Sequence, residues 1–379
     1  MEQDGFSYRF RDGAEAACMD AERIGDAFRL LDDAIARGLT PGGVALIGRH
    51  GRVAAVHAAG AAHTATPDGA DISVQPDTIY DCASLTKIVV TLPLILRLVD
   101  RGLLRLGDPV AEYIPAFAAS GKEAVTVKQL LAHTSGLAAH ARLYEYGGSA
   151  DERKAALFAL PLDYEPGTRS VYSCLGFITL GEIAAALYGK PLDAAAQSEL
   201  FAPLGMRDSG FAPAAEQRPR IAATEYSAHL GRHKWGEVHD ENAASLDGVS
   251  GNAGLFATAG DLARYAAMWL SGGRTAAGEQ LLSGAAVRAA VRCQTPGLAE
   301  PANRGLGWVL RGDPWDASGD LLSPACYGHT GFTGTSLWID PELDCFAVLL
   351  TNRVHFGRDK SVVRLRACFH NAVAAACLQ

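Results

Sequence analysis

The chain predicts a mixed α/β (α+β) fold: an antiparallel sheet flanked by helices, with a mostly helical domain inserted into it. Three observations carry this. Strand-like segments joined by tight turns stand near both ends of the chain. Helical periodicity dominates the middle. With 379 residues, 49% of them apolar, the chain can bury more than one core. The expected division is an α/β sheet domain from residues 1–90 and 305–379, with residues 91–304 as a helical domain carrying cleft loops.

The elements follow in order. In residues 21–37, "AERIGDAFRLLDDAIAR", Ile24, Phe28, Leu31 and Ile35 recur at helical spacing, and Gly38 follows as a stop. "GGVALIGRHGRVAAVHAAG" holds two apolar runs about Arg49-His50-Gly51-Arg52, a hairpin signal. Residues 85–200 read as mostly helical, including "VTVKQLLAHTSGL" at 125–137 and "GFITLGEIAAALYG" at 176–189. "DLARYAAMWLSGG" at 261–273 reads as a helix with Asp261 as N-cap. "GTSLWIDPELDCFAVLLTNR" is two strands about a Pro-Glu-Leu-Asp turn, and "VVRLRACFHNAVAAAC" is a closing helix.

Composition excludes several classes of function. There are 42 acidic against 34 basic residues, a net charge of −8, so no basic face for nucleic acid is expected. The longest apolar candidate, "IVVTLPLILRLVD", is broken by Pro93 and Arg97, so no membrane span is expected. The first twenty residues lack a basic region followed by an apolar one, which makes a cytoplasmic location the expectation. Eight scattered cysteines without a C-x-x-C pair read as reduced thiols.

The chemistry-bearing stretch is "YDCASLTKIVV" at 80–90. In a helix beginning near Ser84, Ser84 and Lys87 lie at i and i+3 and share a face. Free N–H groups at a helix N-terminus favour developing negative charge. Serine needs a base, and a lysine desolvated against "IVVTLPLIL", with a lowered pKa, can act as one. In "EPGTRSVYSCLGF", Tyr172 sits in a loop entering a helix; near two cationic groups it becomes a phenolate-like base or proton shuttle. In "YGHTGFTGTSLWID", His329, Thr330 and Gly331 lie beside a strand, and glycines there allow a ligand to approach the backbone.

Ser84-Leu85-Thr86-Lys87, Tyr172-Ser173-Cys174 and His329-Thr330-Gly331 come in the order of the three signature elements of serine β-lactamase-like hydrolases. Over roughly Ala21 to Asn352 the chain resembles the class C branch of that superfamily, which includes class C β-lactamases, family VIII carboxylesterases, and D-aminopeptidase or D-alanyl carboxypeptidase relatives. "LLAHTSGL", "GDPVAEYIPAF", "GLFATAGDLARY" and "GHTGFTGTSLWIDPE" agree. The resemblance implies a β-lactamase/transpeptidase-like fold and an acyl-enzyme on Ser84. It implies that Lys87 accepts or relays the serine proton, and that Tyr172 activates water and protonates the leaving group. The N–H groups of Ser84 and Phe332 would form the oxyanion hole. His329 would orient Tyr172 and meet a polar group of the substrate. No metal and no organic cofactor is implied; the partner is a small-molecule ester or amide.

Two positions depart from the β-lactamase pattern. Cys174 stands where asparagine is usual, and a thiol is a weak partner for a lysine or a substrate amide. His329 stands where lysine is frequent, and a mostly neutral imidazole anchors a carboxylate less strongly than a fixed cation. Both lean toward a carboxylesterase acting on small esters. The alternatives are a β-lactamase, a D-amino-acid peptidase or amidase, and a penicillin-binding or acyl-binding protein with little turnover. "HLGRHKWGEVHDEN" reads as a loop at the cleft rim, with Trp235 or His239 near substrate, rather than as a metal site. "GVSGNAG" at 248–254 and "HTSG" at 133–136 both fail the G-x-S-x-G pattern and read as turns.

Overall fold

The computed structural model describes residues 10–64, 66, 69–298 and 302–378. Residues 1–9, on which the reading of an absent export signal partly rests, lie outside them. Eleven strands are present among the described residues: β1 Gly42–Arg49, β2 Arg52–His63, β3 Ile72–Ser73, β4 Tyr80–Asp81, β5 Tyr226–Ser227, β6 Arg232–His233, β7 Phe256–Ala257, β8 Val309–Leu310, β9 Tyr327–Thr330, β10 Ser336–Asp340 and β11 Cys345–Thr351. Seven of them form one antiparallel sheet in the order β3-β2-β1-β11-β10-β9-β8. Chain ends therefore meet at its centre, where β1 pairs with β11.

The hairpin expected at residues 49–52 is there. His50 (φ 53°) and Gly51 (φ 68°) both take the left-handed conformation that a two-residue turn between twisted strands requires. In the β10–β11 turn the Asp340 carboxylate accepts from the N–H groups of Glu342 (3.0 Å) and Leu343 (3.1 Å). Period-two alternation sorts the side chains to two buried faces. Ala45, Ile47, Ala347 and Leu349 pack under the helices Ala21–Ala36 and Val363–Ala376, against Phe28, Leu31, Phe369 and Val373. Val44, Leu46, Val348 and Leu350 join the larger core with Leu262 and Ala266 of the helix Ala259–Leu270.

That last helix corrects one expectation. Its N-cap is Thr258, whose side chain accepts from the Asp261 N–H at 3.2 Å. Asp261 stands in the first turn, and its carboxylate takes the N–H of Asp208 (2.9 Å) and the hydroxyl of Ser209 (2.8 Å) instead. Residues 85–200 are also less continuously helical than expected. The 125–137 segment is helical only over Val127–Leu131, started by a reciprocal Thr126–Gln129 cap. Beyond it His133 turns to φ 59°, and residues 133–139 instead exchange backbone hydrogen bonds with 163–174. No helix among the described residues is long and apolar enough to cross a membrane.

Candidate active site

Ser84 lies just before a helix that starts at Leu85. Its first turns widen into a π-turn over Lys87–Thr91. The cause is Pro93, which has no N–H to return to residue 89, so the Leu92 N–H reaches back to the Lys87 carbonyl. Ala83 holds a left-handed φ of 46°, a strained conformation for a residue with a Cβ. Neighbours over-determine it. The Ala83 N–H donates to Asp81 Oδ1 (2.8 Å), the Cys82 N–H to the Leu255 carbonyl (2.8 Å), and Thr86 Oγ1 to the Ala83 carbonyl (2.7 Å).

The β9–β10 turn is fastened to the same segment. Thr333 Oγ1 donates to the Asp81 carbonyl (2.7 Å) and Thr335 Oγ1 to that of Cys82 (3.1 Å). A Cβ on Gly331 would lie 2.1 Å from Thr335 Oγ1 and 2.5 Å from the Cys82 oxygen. The expected close approach at Gly331 is thus made by the protein's own backbone, which brings Phe332 beside Ser84. Among the described residues, neither the Ser84 nor the Phe332 N–H donates to a protein group.

Lys87 is fully buried. Its Nζ donates to Ser84 Oγ (3.1 Å), Cys174 Sγ (3.6 Å) and the Asn252 carbonyl (2.9 Å). The Tyr172 ring lies 5.0 Å from the same Nζ, and the Tyr172 hydroxyl hydrogen-bonds with both Lys87 and Ser84. Residues 171–174 are clamped on the 133–139 loop: the Ser173 N–H donates to His133 Nδ1 (3.0 Å), and its hydroxyl to the Ala138 carbonyl (2.6 Å). Ser84, Lys87, Tyr172, Cys174, His329, Gly331 and Phe332 therefore gather at one place. A cleft of ≈ 190 Å³ is lined by Ser84, Tyr172, His329, Gly331 and Phe332, joined by Arg304 and Trp315.

Electrostatics revise the expected proton inventory. Burial pushes the Lys87 pKa down, but Cys174 and Tyr172 in their ionised forms push it up, and the net direction is upward. The expected lowered lysine pKa is thus reversed, because the partners outweigh the desolvation. Burial raises Tyr172 more than the Lys87 charge lowers it. At rest the pair is therefore an ammonium and a phenol. His329, depressed to about 3 by burial and by the Lys87 and Arg304 charges, is neutral. Its Nδ1 donates to the Thr330 carbonyl at 2.8 Å, and its ring packs 5.8 Å from that of Tyr172. It orients the phenol by packing, with no hydrogen bond to it.

Several neighbours escaped the sequence reading. His133 packs 4.7 Å from Tyr172, and Trp315 packs 5.7 Å from it on another side. Asn252, in what reads as a plain glycine turn, supplies the carbonyl that holds Lys87. Arg304 places its guanidinium carbon 5.8 Å from the Tyr172 ring, so a fixed cation does border the cleft. The second cation expected near Tyr172 is this arginine, carried by "NRGLGW" with no motif of its own to mark it. In the histidine-rich stretch, His233 stacks on His355 at 3.9 Å and Trp235 donates to the Ile221 carbonyl. His239 bonds Glu225 (2.9 Å) and stacks 5.6 Å from Phe332, which leaves it behind the cleft wall.

Comparison with known proteins agrees with this geometry. The family model described as Beta-lactamase matches residues 28–369. A protein of Escherichia coli K12, provisionally named a D-alanyl-D-alanine carboxypeptidase, is 34% identical over 322 residues, spanning 76% of this chain and 73% of its own. An N-acetylmuramyl-L-alanine amidase of Bacillus subtilis 168 is 32% identical over 377 residues, 90% of this chain and 85% of its own. The crystal structure of a penicillin-binding protein homologue from Caulobacter crescentus superposes with a TM-score of 0.74 at 23% identity, covering 94% of this chain and 98% of that one. A family match over most of the chain, relatives above 30% identity and the shared fold lead to one conclusion: this chain belongs to the β-lactamase family and is a serine hydrolase of that family.

Proposed function

We propose that the protein hydrolyses small esters through an acyl-enzyme on Ser84. The observation that carries this reading is the hydrogen bond from Lys87 Nζ to Ser84 Oγ, with the Tyr172 hydroxyl in reach of both. Ser84 Oγ attacks the carbonyl carbon, and its proton passes to the Lys87–Tyr172 pair. The oxyanion is met by the Ser84 and Phe332 N–H groups, donors of a kind worth about 10²–10³ in rate each. The pair returns the proton to the departing oxygen, and the acyl group remains on Ser84. Water, deprotonated by the same pair, then releases the acid and restores the serine. Cys174 favours esters over amides, since its thiol is a weak partner for a substrate amide.

A second reading, cleavage of an amide or peptide, is favoured by the names of the two relatives and by Arg304 in the cleft wall. A short-chain nitrophenyl ester and a chromogenic cephalosporin, assayed side by side, separate ester from β-lactam preference. The ester is expected to have the larger kcat/KM; the reverse order overturns the ester assignment. An adduct on Ser84 that persists in the intact mass without product release would indicate a binding protein with little turnover.

A further inference from the structure

Arg304 is buried, with its side chain 4% exposed, yet it borders the cleft that holds Ser84. One face of its guanidinium is committed: Nη2 pairs with Asp313 Oδ1 at 3.0 Å. Asp313, itself 1% exposed at the side chain, also accepts from the N–H groups of Asn303 (3.0 Å) and Trp315 (2.8 Å). The arginine backbone is held too, its N–H donating to Thr295 Oγ1 at 3.1 Å. Nη1 is buried and has no hydrogen-bond partner among the described residues. A buried N–H of a charged group left without a partner is costly, so a preorganised cation with a free donor beside a nucleophile points to a ligand. The other imidazoles and cations around the cleft do not take this part. His329 and His133 are held neutral by burial, and the three N–H groups of Lys87 are already used.

We infer that Arg304 Nη1 is the anchor of an anionic subsite, taking a carboxylate carried on the leaving group of the substrate. The side follows from Tyr172. Its hydroxyl is the group proposed to protonate the leaving oxygen or nitrogen, and the Arg304 guanidinium lies over its ring. A carboxylate near Nη1 therefore belongs to the departing fragment, while the acyl group lies toward Ser84. Arginine suits the task because it stays charged and presents paired N–H donors to a carboxylate. The inference rests on the acyl-enzyme reading and names its substrate class: esters or amides whose departing alcohol or amine bears a carboxylate.

The test compares phenyl acetate, 3-carboxyphenyl acetate and the monophenyl ester of succinate. These differ only in whether a carboxylate is absent, on the leaving group or on the acyl group. The wild type is expected to favour 3-carboxyphenyl acetate over phenyl acetate by about tenfold or more in kcat/KM, the scale of a hydrogen bond to a charged group. That ratio is expected to fall to near one in Arg304→Gln/Asp313→Asn, which removes both charges so that no lone buried carboxylate remains, and to survive in part in Arg304→Lys. An unchanged ratio in the folded double variant overturns the inference, and a preference for the succinate ester overturns the assigned side. Calorimetry of 3-hydroxybenzoate and phenol binding to Ser84→Ala reads the subsite without turnover. Tighter binding of the benzoate, lost in the Arg304→Gln/Asp313→Asn background, supports the subsite even if no ester is cleaved; equal binding overturns it. Failure of a folded wild type to cleave any of the esters counts against the ester hydrolase reading alone.

Discussion

Ser84, Cys174 and Asn252 occupy the three ammonium hydrogens of Lys87, and the net upward push on its pKa keeps it charged. Tyr172 is raised as well, so the resting site holds one proton too many to act as a base. The active form is the one in which the Lys87–Tyr172 pair has lost a proton. Raised pKa values place that loss on the alkaline side, and the pair titrates as a unit. The expected outcome is a kcat/KM for ester cleavage that climbs as pH rises from 7 toward 10; a profile flat across that range contradicts the proton inventory. His329 contributes no limb above pH 5, since it is neutral down to about 3. Ser84, Lys87 and Tyr172 were legible because side chains that make or break bonds recur in a spaced order. Arg304, His133 and Trp315 were not. Nothing local distinguishes them from surface or packing residues, and only contacts across the fold bring them to Tyr172.

The site's elements are loops held rigid by other loops. The turn at Gly251-Asn252 is an example. A Cβ on Gly251 would lie 2.1 Å from the Phe177 carbonyl oxygen, so only glycine lets this turn press against the Cys174–Tyr188 helix. That approach allows the Gly251 carbonyl to meet Thr91 Oγ1 at 2.7 Å and the Asn252 carbonyl to meet Lys87. Gly251→Ala is expected to cost about 1–3 kcal/mol of stability, the scale of overpacking in a dense core. It is also expected to lower kcat well below wild type at temperatures where the variant remains folded, read by thermal unfolding alongside ester turnover. Full activity in a destabilised variant would show that the turn does not position Lys87. At this scale the strands were legible because alternation in β1 and β11 matches the two covered faces of the sheet. The loops between helices were over-read as helix: Val127–Leu131 is followed by apolar and polar residues that continue a helical rhythm, but tertiary hydrogen bonds to 163–174 take over.

The whole molecule stores several neutral imidazoles in its interior. Burial lowers His329 to about 3 and His355 and His370 to about 4, from an ordinary 6.5. Because the unfolded chain binds those protons more readily, stability is fully present above pH 6.5 and is lost as pH falls toward 4. Glu225, held at about 2 by its hydrogen bond to His239 and by Arg358 against the cost of burial, adds stability that fades below about 4.5. Asp261, raised to about 6 by burial, works the other way between 4.5 and 6. With three imidazoles against one such carboxylate, the unfolding temperature is expected to fall between pH 6.5 and 4. A constant or rising value over that range contradicts the burial of these rings. The sheet itself, with strands from both ends of the chain, was legible from the placement of strand signals. The meeting of positions 84, 172 and 329 was legible only through the order of three short motifs, since no local pattern encodes a distance across the chain.

That meeting is most directly tested by the rate at which a fluorophosphonate labels the protein, with the modified peptide located by mass spectrometry. The adduct is expected on Ser84, absent in Ser84→Ala, and formed at least about a hundredfold more slowly in both Lys87→Met and Tyr172→Phe, as befits groups that act as a unit. An adduct on another residue, or a labelling rate unchanged by loss of the amine or the phenol, would contradict the shared site.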